Sequence, residues 1–194
     1  MSSIFKHICT SERIVSTVVL QSVLELAVEL ARQGREGKKI GTIFTIGDES
    51  NVLKYSRSLI LDPLQGHADD LKKINIPGIR ETIKELAQLD GAFVISDKGV
   101  VVSAARYLEA PSEGVVLPMG LGARHLAAAA ISKYTYAVTV VVSLSTIILV
   151  FDDGDIVGQV LPELLSVGRD SIFISNPYFE EFQKESITVV TKKR

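Results

Sequence analysis

The feature that most constrains the fold is an apolar run over residues 137–151, whose centre is a polar Ser-Leu-Ser-Thr segment at 143–146. The run is shorter than the roughly 18 to 20 residues that a helix needs to cross a bilayer. Most of its residues are β-branched, which favours strands. The sequence therefore predicts two buried strands joined by a turn, and no membrane span.

An alanine-rich helix is predicted immediately before this strand pair. Gly120 and Gly122 lead into it, and Arg124 and His125 occupy its first turn. A helix N-terminus has unpaired backbone N–H groups and carries roughly half a positive charge, so it attracts anions. A guanidinium adds a planar fork of donors that matches phosphate oxygens. The segment predicts a phosphate cradle, and an ordinary glycine-capped core helix is the alternative.

A carboxylate precedes another predicted strand. The segment Asp90-Gly91-Ala92 stands where a helix predicted over 79–89 gives way to an apolar run over 92–96. Ligands collect at strand edges in α/β sheets. Taken alone, an Asp-Gly pair is more typical of a turn than of a metal ligand. Its position at a strand edge still makes Asp90 a candidate site residue.

Composition indicates a single globular domain. A chain of 194 residues buries about 70% of its unfolded surface without disulfides or structural metal. A formal net charge of -2 provides no basic face for duplex nucleic acid. The one cysteine, Cys9, excludes an internal disulfide and a structural zinc site. The polar residues after Phe5 do not form a signal peptide, so we expect a cytoplasmic protein.

Periodicity and turn residues give the other elements of a single α/β domain. The first is a helix over 13–32, which Thr10 or Ser11 caps and Gly34 ends, and it is followed by a strand over 40–47 and a strand near Ile60. A hairpin over 92–96 and 99–104 comes next, then a loop over 106–119. The last elements are a tight turn at 152–155 and, after Pro162, a short helix and a strand over 186–191.

The motifs resemble a known family when they are taken together. Asp-Gly-Ala at 90–92, followed by Gly-Ala-Arg-His at 122–125, is similar to the diadenylate cyclase domain, the catalytic domain of enzymes that make cyclic di-AMP. The resemblance extends over residues 19–160. It includes Gly-Thr-Ile-Phe-Thr-Ile-Gly-Asp at 41–48, Asp-Pro-Leu-Gln-Gly-His at 62–67, Ala-Arg-Tyr-Leu-Glu at 105–109 and the stretch 124–132, which is closest to the archaeal-type branch.

The resemblance implies a fold, an activity and an assembly. The fold would be a central mixed β-sheet flanked by helices. The catalytic domain would cover 37–165, with an N-terminal helix packed on it in 1–36 and a helix and strand extension in 166–194. The activity would condense two ATP into cyclic di-AMP and two pyrophosphates with Mn²⁺ or Mg²⁺. Because each domain binds one ATP, turnover would need a homo-oligomer with face-to-face active sites, and no nucleic acid or membrane partner is expected.

The resemblance also implies roles for individual residues. Asp90 would hold the metal and help to activate the 3′-hydroxyl, Arg124 would grip the triphosphate, and His125 would lie near the metal or phosphate. These three are the expected catalytic residues, with Asp90 and His125 as metal ligands. The expected nucleotide-lining residues are Gly91, Ala92, Tyr107, Leu108, Glu109, Gly122, Ala123 and Ser143.

The chain departs from the family pattern at two places. Leu126 stands where an arginine is usual, which removes one phosphate-side cation, and Ser143-Leu144-Ser145 lacks two acids that are common there. A nucleotide-binding sensor or weak cyclase that uses the same pocket is therefore a second interpretation. An unrelated phosphate-binding α/β domain is a third.

Overall fold

The computed structural model describes residues 13, 15–161, 172–174, 177–182 and 187–192. Its helices are α1 (Thr17–Gln33), α2 (Glu49–Lys54), α3 (Pro77–Leu86) and α4 (Ala123–Tyr134), with a 3₁₀ turn at Asp69–Lys72. Its strands are β1 (Thr42–Ile46), β2 (Ser56–Ser58), β3 (Ala92–Ile95), β4 (Val101–Leu108), β5 (Val138–Val142), β6 (Ile148–Asp152), β7 (Asp155–Leu161), β8 (Pro177–Phe182) and β9 (Ile187–Lys192).

One sheet joins these strands in the order β2-β4-β3-β1-β5-β6-β7-β9-β8. β1 and β3 are parallel, and the other neighbouring pairs are antiparallel. This confirms the mixed sheet that the resemblance implied. The apolar run over 137–151 forms the β5–β6 pair, as its β-branched composition predicted.

Helices cover both faces of the central strands, because side chains in each strand alternate between two apolar cores. Phe44 and Phe93 lie on the face that α1 and α3 cover, where their rings stack with centroids 5.3 Å apart. Ile43 and Val141 lie on the opposite face, which α4 covers. Burying one such side chain contributes roughly 1.5–3 kcal/mol, so these layers fix the sheet that carries the site.

The first helix begins later than its periodicity predicted. α1 starts at Thr17 rather than residue 13, and it ends at Gln33, before Gly34, whose positive φ of 56° is one that glycine adopts without strain. Arg13 is outside the helix because its guanidinium is bound elsewhere. It lies 2.7 Å from Asp152 and donates a hydrogen bond of 2.7 Å to the Thr135 carbonyl. Thr10 and Ser11, the predicted caps, lie outside the described residues.

The structure of residues 48–61 differs from two predictions. α2 occupies a stretch in which no helix or strand was predicted, and the strand predicted near Ile60 is Ser56–Ser58. Asp48 adopts a left-handed φ of 47° and accepts hydrogen bonds from the Asn51 amide group and the Tyr136 N–H, both at 2.9 Å. This distant contact turns the chain from β1 directly into α2.

The hairpin over 92–104 is confirmed, but its second strand is longer than predicted. β4 runs to Leu108, so residues 106–108 are not part of a loop, because β2 pairs with them at the sheet edge. The helix predicted over 79–89 ends earlier, at Leu86. The turn at 152–155 and the strand over 186–191 are confirmed. β8 was not predicted, and the short helix after Pro162 lies outside the described residues.

Candidate functional site

A cleft of about 570 Å³ opens where β1 and β3 begin and β5 ends. Its walls come from 90–91, 106–108, 122–125 and 141–145, together with Ile43, Leu59, Gly120 and Ala127. The volume is in the range of small-molecule sites. Ligands usually bind at the carboxyl ends of parallel strands, but this cleft lies at the amino ends of β1 and β3, where α4 also begins.

Most of the predicted site residues meet in this cleft. Two do not line it. Ala92 is fully buried in β3, and Glu109 forms an ion pair with Arg57, with Nε and Oε1 2.6 Å apart. The predicted residues that do line the cleft are Asp90, Gly91, Tyr107, Leu108, Gly122, Ala123, Arg124, His125 and Ser143.

Gly91 is required by the backbone beside the cleft. Its φ is +111°, and a Cβ there would lie only 2.8 Å from the Ala105 carbonyl carbon and 2.9 Å from the Arg106 nitrogen. Ala105 itself has a φ of 51°, and the β3–β4 register shifts between Ala92 and Val94. This is a β-bulge, a device that often re-aims side chains beside sites. It joins the Asp90 loop tightly to β4.

The start of α4 forms the opposite wall. Gly122 precedes the helix, and its carbonyl accepts the His125 N–H at 3.0 Å. The His125 Nδ1 in turn accepts the Gly122 N–H at 3.2 Å. The Gly122 and His125 N–H groups are therefore occupied, whereas the Ala123 and Arg124 N–H groups have no acceptor earlier in a helix and can donate to an anion.

Burial lowers the pKa of His125, and the neighbouring Arg124 guanidinium lowers it further. The ring is therefore neutral at pH 7. Because Nδ1 accepts a hydrogen bond, the proton lies on Nε2. The ring can bind a metal through Nε2 only by giving up its hydrogen bond with Gly122.

Arg124 and Asp90 form an ion pair in the cleft, with Nη2 and Oδ1 3.0 Å apart. The Asp90 side chain is 77% exposed and also accepts the Gly91 N–H at 3.0 Å. Gly41 leaves room for the guanidinium, because a Cβ there would lie 3.2 Å from Arg124 Nη1. The pair is thus held at the rim, within reach of solvent.

The described residues contain no group of three or more histidine, cysteine, aspartate or glutamate side chains that could hold a metal ion. Asp90 offers one exposed carboxylate. Mg²⁺ is commonly held by one or two carboxylates together with substrate phosphates. The donor set fits an ion shared with a bound phosphate.

The turn after β5 replaces the acids of the family pattern with small hydroxyls. Ser143 and Ser145 place their Oγ atoms 2.7 Å apart, and the Ser143 N–H donates to the Ile147 carbonyl at 3.0 Å. Leu144 is 53% exposed and borders the cleft. Leu59 and Arg106 line the cleft but were not predicted to do so, although Arg106 is within the segment 105–109 on which the resemblance partly rests.

Comparison with known proteins identifies the family. Residues 29–156 match the family described as DisA bacterial checkpoint controller nucleotide-binding, abbreviated DAC. The chain belongs to the DAC family. A solved structure of a hypothetical membrane spanning protein from Bacillus cereus is similar to this chain in fold, with a TM-score of 0.51 and 18% identity, covering 71% of this chain and 61% of that chain.

Two curated relatives of this DAC domain are archaeal. The diadenylate cyclase of Methanocaldococcus jannaschii is 51% identical over 144 residues, which cover 74% of this chain and 45% of the relative. The diadenylate cyclase of Haloferax volcanii is 41% identical over 147 residues, which cover 75% of this chain and 53% of the relative. The chain thus spans about half the length of these relatives. Among the helices described in this DAC domain, none is long and apolar enough to span a membrane.

Proposed function

We propose that this DAC domain condenses two ATP molecules into cyclic di-AMP and two pyrophosphates. The observation that carries the proposal is the cleft in which Asp90 meets Arg124 at the start of α4. The reaction needs a carboxylate, a cationic clamp and oriented N–H groups around a phosphate chain. The identity to two diadenylate cyclases supports the choice of substrate.

Each wall of the cleft has a task in this proposal. The Arg124 guanidinium and the first-turn N–H groups of α4, including that of Ala123, bind the triphosphate. Asp90 accepts a hydrogen bond from the attacking 3′-hydroxyl. Its carboxylate would also hold Mn²⁺ or Mg²⁺, which would neutralise charge at the reacting phosphate. His125 stays neutral and orients the helix start through Gly122.

The nucleoside lies along the other wall. Tyr107 and Leu108 offer apolar surface to the adenine, and Gly91 lets the backbone approach the ligand closely. Ala92 supports this floor from within the core, while Glu109 acts indirectly, since its partner Arg57 stands 4.7 Å from the Tyr107 ring centroid. Ser143 lies at the phosphate side.

Two such domains act face to face. A symmetric product made from two adenylates needs each 3′-hydroxyl to attack the α-phosphate bound by the other domain. The homo-oligomer is therefore part of the reaction, and each cleft is complete only when a second ATP-loaded copy meets it.

Incubation with ATP and either Mn²⁺ or Mg²⁺, followed by chromatography, tests the proposal. The wild-type domain should release cyclic di-AMP and pyrophosphate, and Asp90→Asn, assayed in parallel, should release neither. If the folded wild-type domain binds ATP but forms no cyclic di-AMP with either ion, the cyclase proposal fails.

A second candidate is a sensor that binds ATP or cyclic di-AMP without turning it over. It is favoured by Ser143-Leu144-Ser145 and by the lack, within the described ranges, of a three-residue metal cluster. The same experiment separates the two, because a sensor binds nucleotide in calorimetry and forms no product.

A further inference from the structure

Arg106 lines the cleft, and its guanidinium is fixed by neutral oxygen atoms of β2 and of the end of α2. Its Nε donates to the Ser56 Oγ at 3.2 Å, and its Nη1 donates to the Ser58 Oγ at 2.8 Å. Its Nη2 donates to the Ser56 carbonyl at 2.7 Å and to the Leu53 carbonyl at 3.4 Å. These bonds orient the group without neutralising its charge.

Arg106 differs in this respect from other arginines of the domain. No carboxylate among the described residues forms an ion pair with it. A half-buried charged side chain normally has an oppositely charged partner, because moving a charge out of water without such a partner is unfavourable. The arginines that do pair with a carboxylate include Arg13, Arg35, Arg57, Arg80 and Arg124.

The charges around the cleft leave Arg106 uncompensated. Asp90 and Arg124 neutralise each other, with Nη2 and Oδ1 3.0 Å apart. Leu126, which follows His125, is apolar, so the first turn of α4 supplies one guanidinium only. The cleft therefore carries an excess positive charge at the β4 wall.

The bulge places this charge beside the Asp90 loop. Arg106 pairs with Ala92 across the β3–β4 ladder, and a Cβ at Gly91 would lie 2.9 Å from the Arg106 backbone nitrogen. A guanidinium has five N–H donors, and Nη1 donates one of its two to Ser58 in the described structure. A donor therefore remains for a ligand atom in the cleft.

We infer that Arg106 contacts a phosphate oxygen of the bound nucleotide and supplies the second phosphate-side positive charge of this site. The inference rests on the proposed function only in taking the ligand to be an adenine nucleotide. The oxygen belongs either to the triphosphate of ATP or to the phosphodiester of cyclic di-AMP, and the two ligands are compared separately.

Calorimetric titration of Arg106→Gln tests the inference with adenosine, ATP and cyclic di-AMP as ligands and no metal present. Glutamine keeps a hydrogen-bond donor but removes the charge. We expect ATP or cyclic di-AMP to bind about tenfold more weakly, and adenosine to change less than twofold, as for one lost charge-assisted contact. If the variant loses affinity for ATP alone, Arg106 contacts the triphosphate. If it loses affinity for cyclic di-AMP, Arg106 contacts the phosphodiester.

Two controls separate this role from a structural one. Arg106→Lys keeps the charge and should retain more phosphate affinity than Arg106→Gln. Ser58→Ala removes the Nη1 acceptor but no charge, and should lower the unfolding temperature without selective loss of ATP. The inference is overturned if Arg106→Gln weakens adenosine and ATP equally, or neither. Product formation is a separate readout, so failure of cyclisation would not be mistaken for failure of this contact.

Discussion

The Arg124 guanidinium and the Asp90 carboxylate bind each other across the cleft, although the residues are 34 positions apart in the chain. These are the groups that the proposed reaction assigns to the triphosphate and the metal. An exposed ion pair of this kind contributes about 0–1 kcal/mol, which a triphosphate and a divalent ion can readily replace. Binding of either ligand should therefore release the residue that the other ligand needs.

Asp90→Asn should abolish turnover while leaving metal-free ATP binding within about tenfold of wild type. The carboxylate supports charge that develops during the reaction more than it supports ground-state binding. Loss of the ion pair also frees Arg124, so affinity should rise by up to about fivefold. Calorimetry and product formation are measured together, with Asp70→Asn, an exposed carboxylate outside the cleft, as the control. Normal turnover by Asp90→Asn would remove its assigned role.

Arg124→Ala should weaken ATP binding more than adenosine binding, by about 1.5 to 3 kcal/mol. Gly41→Ala is a milder variant of the same test, because its new methyl group would crowd Nη1 at 3.2 Å without removing the charge. Arg35→Ala breaks an ion pair with Glu85 and serves as the control. Equal losses for ATP and adenosine in Arg124→Ala would assign this residue to folding.

Acidification should destabilise the domain through His125. Its folded pKa is lowered from 6.5 by burial and by Arg124, so the unfolded chain binds the proton more tightly. Stability from this group is present above about pH 6.5 and falls as the pH drops toward the folded pKa. His125→Gln should show a weaker loss when denaturant unfolding is compared at pH 7.5 and 5.5. An identical pH dependence in the variant would contradict this account, and His67→Gln, at an exposed loop position, is the control.

Leu144→Glu and Ser145→Glu, singly and together, should lower the concentration of Mn²⁺ or Mg²⁺ that gives half-maximal activity in at least one variant. Hard cations prefer carboxylate oxygens, and the turn now offers only hydroxyl and apolar groups. Leu144→Gln and Ser145→Gln match the side-chain size without the charge. If all folded glutamate variants keep the wild-type metal dependence, this turn does not serve the metal.

Product formed per subunit should rise with protein concentration at high dilution. Two ATP-loaded domains must meet, so the active fraction follows mass action. Initial rates are compared with the oligomeric state from sizing at the same concentrations. A constant rate per subunit where sizing shows only monomer would contradict face-to-face turnover.

Local sequence patterns predicted the elements that are strongly apolar or that are stabilised by interactions between nearby residues. The β5–β6 pair, α4 and the Gly34 end of α1 follow from β-branched runs, glycine position and helical spacing. α2 could not be found in this way. It has six residues, and its start depends on a contact between Asp48 and Tyr136, 88 positions away.

The site residues also divide into those that a local motif predicts and those that depend on contacts distant in the chain. Asp90 and Arg124 lie in short contiguous motifs, so the sequence pointed to both. Arg106 was not predicted, because its hydrogen-bond partners in β2 lie about 50 positions earlier in the chain and because the bulge beside it leaves no periodic pattern in the sequence. Ala92 and Glu109 were adjacent to lining residues in sequence, but Ala92 is fully buried in β3 and the Glu109 carboxylate pairs with Arg57.

Because Ala105 adopts a left-handed φ at the bulge, this site depends more on the number of residues in β4 than on which residues they are. The β3–β4 register shifts on both sides of Val94. Removing one residue between Ser103 and Arg106 would close one of these shifts and move every later residue of β4 by one place, and a slip of one residue exchanges the two faces of a strand. Tyr107 would then take the place of Arg106 while every buried contact nearer the turn survived. Relatives that keep this cleft should therefore tolerate many substitutions along β4 but no insertion or deletion within it.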